Sequence, residues 1–219
     1  MISGATGGLG PVIARHFARQ GCRLLLPVRG DVAEAQAAFP DAQIVQADLT
    51  EPSDAQRVAT LAAETWGATD AVLNVAGGFA AGSALTLEPA TLERQLDLNL
   101  RTAVNLTTAF LPALVDAGQG MVLGVSAGAS GGAKNVPAYA ASKAALEAYL
   151  RSVRAEVEPS GVGVSILIPQ GTLDTPANRA AMPDADATAW IQLEALAEAA
   201  WFLASRPARG RVSELAIHA

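Results

Sequence analysis

The chain predicts an α/β fold, a single-domain doubly wound parallel sheet with helices on both faces over residues 1–219. Three observations predict it. Short apolar runs of the kind that form buried strands alternate with amphipathic stretches along the whole length. A glycine cluster from Gly4 to Gly10 stands where the first strand-like segment gives way to the first helix-like one. The 219 residues are 51% hydrophobic and 16% charged, enough for one sizeable core and too few for a second substrate domain.

The strands are expected at residues 23–26, 43–47, 71–75, 121–125, 162–168 and 212–217. Between them, the 3.6-residue period predicts helices at 11–20, 32–39, 53–66, 91–117, 137–158 and 193–204. Asp31 and Glu34 have the spacing of a capping pair for the second helix. Strict alternation implies parallel pairing with crossover helices on both faces. Only Met1, Ile2 and Ser3 precede Gly4, whereas a central strand needs about five residues. A natural start further upstream is the simpler expectation.

Composition narrows the function. Net charge is −6 and no basic run stands out, which argues against nucleic acid or an anionic membrane as partner. No apolar run approaches the ~20 residues needed to span a bilayer, and the N-terminal residues lack the pattern of a signal peptide. The single cysteine, Cys22, excludes an internal disulfide and suits a reducing compartment. His16 and His218 offer no ligand spacing, so no metal site is expected. A cytoplasmic protein acting on a small molecule is the class that remains.

The glycine turn supplies the first chemistry. In Ser3-Gly4-Ala5-Thr6-Gly7-Gly8-Leu9-Gly10, glycines let the backbone turn tightly and approach a pyrophosphate. The helix that follows offers free N–H groups and its positive dipole end. Gly4, Thr6, Gly7, Gly8, Leu9 and Gly10 are therefore expected to hold a dinucleotide. Gly4, Gly8 and Gly10 read as G-x-x-x-G-x-G; Gly4, Gly7 and Gly10 read equally well as G-x-x-G-x-x-G. The second strand leads into Val28-Arg29, where NAD-binding domains tend to carry a carboxylate for the ribose 2′-OH. A neutral residue followed by a guanidinium favours a 2′-phosphate instead, hence NADP(H) over NAD(H). The alternative is that Arg29 is a solvated loop charge, with Asp31 close by.

Tyr139 and Lys143 stand four apart on an expected helix and so face one way. A tyrosine with a pKa near ~10 exchanges protons poorly at neutral pH, and a neighbouring ammonium favours its phenolate. Such a pair makes a general acid/base. Ser126 lies 13 residues before Tyr139 at a strand end, and Asn99 lies in the long helical stretch. Asn99, Ser126, Tyr139 and Lys143 together resemble the catalytic tetrad of the short-chain dehydrogenase/reductase family, and the likeness runs from Ser3 to the last strand. Chain length and the Ser-to-Tyr gap match its small, single-domain branch. The resemblance implies a Rossmann-type fold. It implies that Ser126 bonds the substrate oxygen, Tyr139 exchanges its proton, Lys143 tunes Tyr139 and holds the nicotinamide ribose, and Asn99 supports a proton-relaying water. It further implies cofactor contacts at Asp48 and Leu49 after the third strand. Asn74, Ala76 and Gly77 are expected there too, in a motif where Val75 replaces the family's second asparagine.

Past the strand at 162–168, Pro169, Thr172 and Thr175 resemble the family's cofactor-carboxamide segment, with Thr175 one position later than usual. The stretch through Met182-Pro183-Asp184-Ala185-Asp186, with Ala76-Gly77-Gly78-Phe79, resembles dihydropteridine reductase and its bacterial relatives. That branch lacks the tetrad serine, whereas this chain has Ser126. The leading expectation is an NADP(H)-dependent oxidoreductase acting between a carbonyl and an alcohol carbon of a small molecule. The alternatives are a quinonoid dihydropteridine reductase-like enzyme and a non-catalytic nucleotide-binding sensor. Phe79, Met182 and Trp190 are expected near the substrate and suggest an apolar component. The helices beginning near Asn99 and Pro137 suggest a homo-oligomer, a tetramer or dimer.

Overall fold

Met1, Ile2 and Ser3 run through the centre of the sheet in the computed structural model, which describes every residue from Met1 to Ala219. On one side Met1 N donates to Ala71 O at 2.8 Å, Leu73 N to Met1 O at 2.9 Å and Ser3 N to Leu73 O at 3.0 Å. On the other side Ile2 N donates to Leu25 O at 3.1 Å. These residues lie between two parallel groups. One is β1 (Leu25–Val28) with β2 (Gln43–Gln46). The other is β3 (Ala71–Asn74), β4 (Gly120–Val125), β5 (Val162–Gln170) and β6 (Glu214–His218), paired in that order. The resulting order is β2, β1, residues 1–3, β3, β4, β5, β6. Residues 1–3 thus occupy the place of the expected first strand, and the chain turns away from the sheet at Gly4.

Helices cover both faces. On one lie α1 (Gly10–Arg19), α2 (Val32–Ala38) and α8 (Leu193–Ala204); Ile13, Phe17, Leu196 and Leu203 pack there against Leu24, Leu26 and Val28. On the other lie α3 (Pro52–Trp66), α5 (Thr102–Ala117) and α6 (Pro137–Val157), with Leu106, Phe110, Leu146 and Leu150 around Leu25, Val122 and Ile166. Alternate strand residues feed the two cores, as a strand's period of two requires. Two short helices complete the chain, α4 (Pro89–Leu96) and α7 (Pro176–Ala181).

Some boundaries differ from expectation for identifiable reasons. β1 starts and ends two residues later than predicted and passes through Pro27. Leu24 O accepts from Gln43 N and Val28 O from Ala47 N, just past β2, while Leu25 O accepts from Ile2 N. Odd-numbered residues of β1 therefore face residues 1–3, and Pro27, which has no N–H, leaves the carbonyl of Ile2 opposite it without a ladder bond on that side. The helix predicted over 91–117 is α4 and α5 joined by a π-helical turn at Asp97–Arg101. Only the Asp31 half of the expected capping pair forms: its carboxylate accepts from Ala33 N at 2.7 Å and Glu34 N at 3.3 Å. α7 stands where the periodicity predicts no helix.

Candidate active site

The carboxyl ends of the strands gather the expected site residues along one edge of the sheet, where ligands bind in open α/β sheets. The glycine turn is tight enough to exclude side chains. Gly4 adopts φ +74°, and a Cβ there would meet Ala76 N at 2.7 Å. A Cβ on Gly10 would lie 1.9 Å from Gly4 O. Ser3, overlooked in the sequence, locks this turn to the neighbouring strand end: its Oγ accepts from Val75 N and Ala76 N, both at 3.1 Å. Thr6, Gly7 and Gly8 are exposed, while Leu9 is buried, so its backbone alone is open to a ligand. No side chain caps α1; Pro11 lacks an N–H and Val12 N and Ile13 N donate to Leu9 O, so the donors open to a ligand are the N–H groups of Leu9 and Gly10. Thr175 caps α7 through Asn178 N at 3.1 Å and packs its methyl over Gly8. The segment after β5 therefore closes on the glycine turn. Thr172 O accepts from Ile191 N at 2.8 Å and Leu173 bridges Ile191, which absorbs the extra residue between Pro169 and Thr175.

Arg29 is exposed just past β1, and its neighbour Asp31 is occupied in capping α2. Asp48 accepts from Thr50 N at 3.0 Å and Thr50 Oγ1 at 2.7 Å. These bonds, the hydroxyl's foremost, hold its carboxyl below the usual range. Leu49 is buried and its carbonyl accepts from Asn105. Asn74 donates to Thr107 Oγ1 at 3.0 Å, and its buried Oδ1 has no partner.

Gly77 is where the catalytic candidates meet. A Cβ on it would lie 2.6 Å from Asn99 Oδ1 and 3.4 Å from Lys143 Nζ. Asn99 sits in the π turn, 1% exposed, and clamps the next residue: Oδ1 accepts from Gly78 N and Nδ2 donates to Gly78 O, both at 2.9 Å. It also reaches Ser142 Oγ on α6 at 3.0 Å. A π turn adds one residue to a helical turn and commonly marks a functional site; here it directs Asn99 inward between α4 and α5. Lys143 Nζ donates to Val125 O at 2.8 Å, and burial pushes the ammonium down to about 8, with Glu147 opposing.

Tyr139 opens the same face of α6. Burial pushes its hydroxyl above the usual tyrosine range, the opposite of the lowering expected from Lys143. Phe79 lies edge-on to it, ring centroids 5.0 Å apart, and is 66% exposed. Of the other apolar candidates Met182 is exposed, whereas Trp190 is buried in packing. Ser126, at the end of β4, is buried, and its hydroxyl donates to Glu147 Oε1 at 2.6 Å. Glu147 carried no signal in the sequence beyond its place one turn after Lys143.

The family model described as short chain dehydrogenase matches residues 1–186. The 1-deoxy-11-beta-hydroxypentalenate dehydrogenase of Streptomyces avermitilis is 33% identical over 214 residues, covering 92% of this chain and 78% of that protein. A metagenomic short-chain oxidoreductase solved in complex with NADP superposes with TM-score 0.81 at 27% identity, over 99% of this chain and 94% of that one. A short chain dehydrogenase/reductase family protein superposes with TM-score 0.86 at 29% identity, over 99% and 93%. The chain belongs to the short-chain dehydrogenase/reductase family. It is an oxidoreductase of the hydride-transferring kind, with a Rossmann-like parallel sheet and a nicotinamide cofactor. No helix is long and apolar enough to cross a membrane.

Proposed function

We propose that this chain is a cytoplasmic, single-domain NADP(H)-dependent enzyme that interconverts a carbonyl and an alcohol on a small, partly apolar substrate. The observation that carries the reading is the convergence of Asn99 and Lys143 on Gly77, with Tyr139 one helical turn from Lys143. Support for NADP(H) comes from Arg29, exposed and free of Asp31, beside neutral Val28. The cofactor fits the residues present: a glycine cradle that a Cβ would fill and a helix start without a side-chain cap. Gly4, Gly8 and Gly10 would admit the pyrophosphate, Asp48 with Leu49 the adenine side, and Asn74 to Gly77 with Pro169, Thr172 and Thr175 the nicotinamide side.

The nicotinamide, when bound, supplies or takes the hydride. The remaining steps belong to the protein. In reduction the Tyr139 hydroxyl gives its proton to the substrate oxygen; in oxidation the phenolate takes it back. The Lys143 ammonium, buried beside Gly77, stabilises the phenolate and holds the ribose. Asn99 fixes Gly78, and through it the backbone that carries Phe79 against Tyr139. That ring gives the mouth of the site an apolar wall.

One observation favours a second reading. The Ser126 hydroxyl is engaged by Glu147, as suits a site that protonates its substrate through Tyr139 alone, and this fits the quinonoid dihydropteridine reductase-like alternative. NADPH oxidation with a ketone panel and with quinonoid dihydropterin separates the two.

The mechanism is tested by Tyr139→Phe and Lys143→Ala on any accepted substrate. Tyr139→Phe keeps the ring and should bind NADPH normally while losing ~10²–10⁴-fold in kcat. Lys143→Ala should lose both turnover and NADPH affinity. A Tyr139→Phe enzyme with more than about a tenth of wild-type activity refutes the assignment.

A further inference from the structure

The buried carboxylate of Glu147 has no part in the mechanism above, yet it touches the same corner of the sheet as Lys143. Four side chains lie along one ridge of α6: Tyr139, Lys143, Glu147 and Arg151, each four residues apart and so on one face. Lys143 and Glu147 reach consecutive residues at the end of β4. Lys143 Nζ donates to Val125 O, and Glu147 Oε1 accepts from Ser126 Oγ. Behind them Glu147 Oε2 accepts from Arg151 Nη2 at 2.9 Å, and Arg151 in turn makes two bonds to Glu214 on β6, at 2.8 and 3.0 Å.

Resting on the reading of Tyr139 and Lys143 as the acid/base pair, we propose that Glu147 is a positioning residue of this site. It anchors Ser126, and it supplies the counter-charge that keeps the buried Lys143 ammonium charged. A carboxylate that is 7% exposed persists only when paired. Its partners are a hydroxyl and a guanidinium already committed to Glu214, so part of its field is left for Lys143, one helical turn away. Ser126, donating to Glu147, offers the site only oxygen lone pairs, which leaves Tyr139 as the proton donor to a substrate oxygen.

The charged surroundings are few. Glu147 shares α6 with Lys143, Arg151, Arg154 and the exposed Glu156, and faces Glu214 from β6. Strands β4 and β5 and residues 128–131 carry no ionisable side chain. On α4 and α5, Glu93, Arg94 and Asp116 are exposed. In the π turn Asp97 pairs with Arg101 at the surface.

The chain contains two lysines, Lys134 and Lys143, and Lys134 is exposed. An enzyme labelled with ¹³Cε-lysine therefore gives two resolvable titrations, with Lys134 as internal reference and no substrate required. Glu147→Gln should lower the Lys143 midpoint by about half a pH unit or more, a threefold change in its ionisation constant. Glu147→Asp, which keeps the charge, should hold it, and Arg151→Gln should leave it or raise it. A purely structural role for Glu147 predicts lower melting temperatures with an unmoved Lys143 midpoint, and that result overturns the proposal. Should Glu147→Gln fail to fold, Glu147→Met removes the same charge with similar volume and is read in the same way. The alkaline limb of kcat should move to lower pH with the midpoint in Glu147→Gln. If the midpoint moves while the limb stays, the hold of Glu147 on Lys143 is supported and the acid/base reading is what fails.

Discussion

Replacing the glycines of the turn one at a time by alanine should produce a graded series whose order the backbone dictates. At Gly10 the new methyl would lie 1.9 Å from Gly4 O, 2.5 Å from Gly4 C and 3.0 Å from Ala5 Cα. That is about 1.5 Å short of ordinary contact, and every obstructing atom is backbone. At Gly7 the nearest atom is Gly4 O at 3.3 Å, which a few tenths of an ångström relieve. At Gly8 the obstruction is a side-chain methyl, Thr175 Cγ2 at 3.0 Å. Overpacking of a fixed backbone costs ~1–3 kcal/mol, and 1 kcal/mol moves the melting temperature of a domain this size by ~2–4 °C. Gly10→Ala should therefore melt roughly 5–10 °C lower and lose NADPH affinity by ~100-fold, since the turn must shift by more than an ångström. Gly8→Ala should fall between, and Gly7→Ala should stay within about 2 °C and threefold of wild type. Differential scanning fluorimetry and NADPH fluorescence titration read both quantities. If Gly7→Ala is as damaging as Gly10→Ala, the functional spacing is G-x-x-G-x-x-G, and the steric argument for Gly4, Gly8 and Gly10 is wrong.

Two further outcomes follow from single features. NADPH should bind at least tenfold tighter than NADH, ~1.4 kcal/mol, within the reach of one charge-assisted contact; Arg29→Ala should erase that preference, and equal affinities in the wild type would refute the role of Arg29. The apolar-faced helices α5 and α6 suggest a homo-oligomer, dimer or tetramer, so light scattering at micromolar concentration should show a species larger than the 22.3 kDa chain.

Most of the candidate site is legible in the sequence because the chemistry proposed for it needs particular residue types at short spacings. Tyr139 and Lys143 share a helix face, Asn74 to Gly77 form one strand end, and Gly4 to Gly10 form one turn. What stayed hidden depends on packing between distant segments. Ser3 looks like an ordinary small residue until residues 1–3 lie beside β3 and its hydroxyl finds two amides 72 and 73 positions away. The π turn around Asn99 was invisible because hydrophobic periodicity cannot register one inserted residue inside an otherwise regular helix. Glu147 reads as a solvent-facing charge until α6 packs on β4 and β5. In each case a local rule was right in general and was overruled by a partner far away in the chain.

The position of residues 1–3 has a consequence for the bound state. They stand between two sets of strands, β1 and β2 with α2 on one side and β3 to β6 on the other. The proposed 2′-phosphate and adenine contacts, Arg29 and Asp48, belong to the first set; Asn99, Tyr139 and Lys143 belong to the second. A dinucleotide held by both sets would tie the two sides of the sheet together. Saturation with such a ligand at a hundredfold excess over its dissociation constant adds about 2.7 kcal/mol to the folded state by mass action alone. The same contacts that would stabilise the fold would then also complete the catalytic edge.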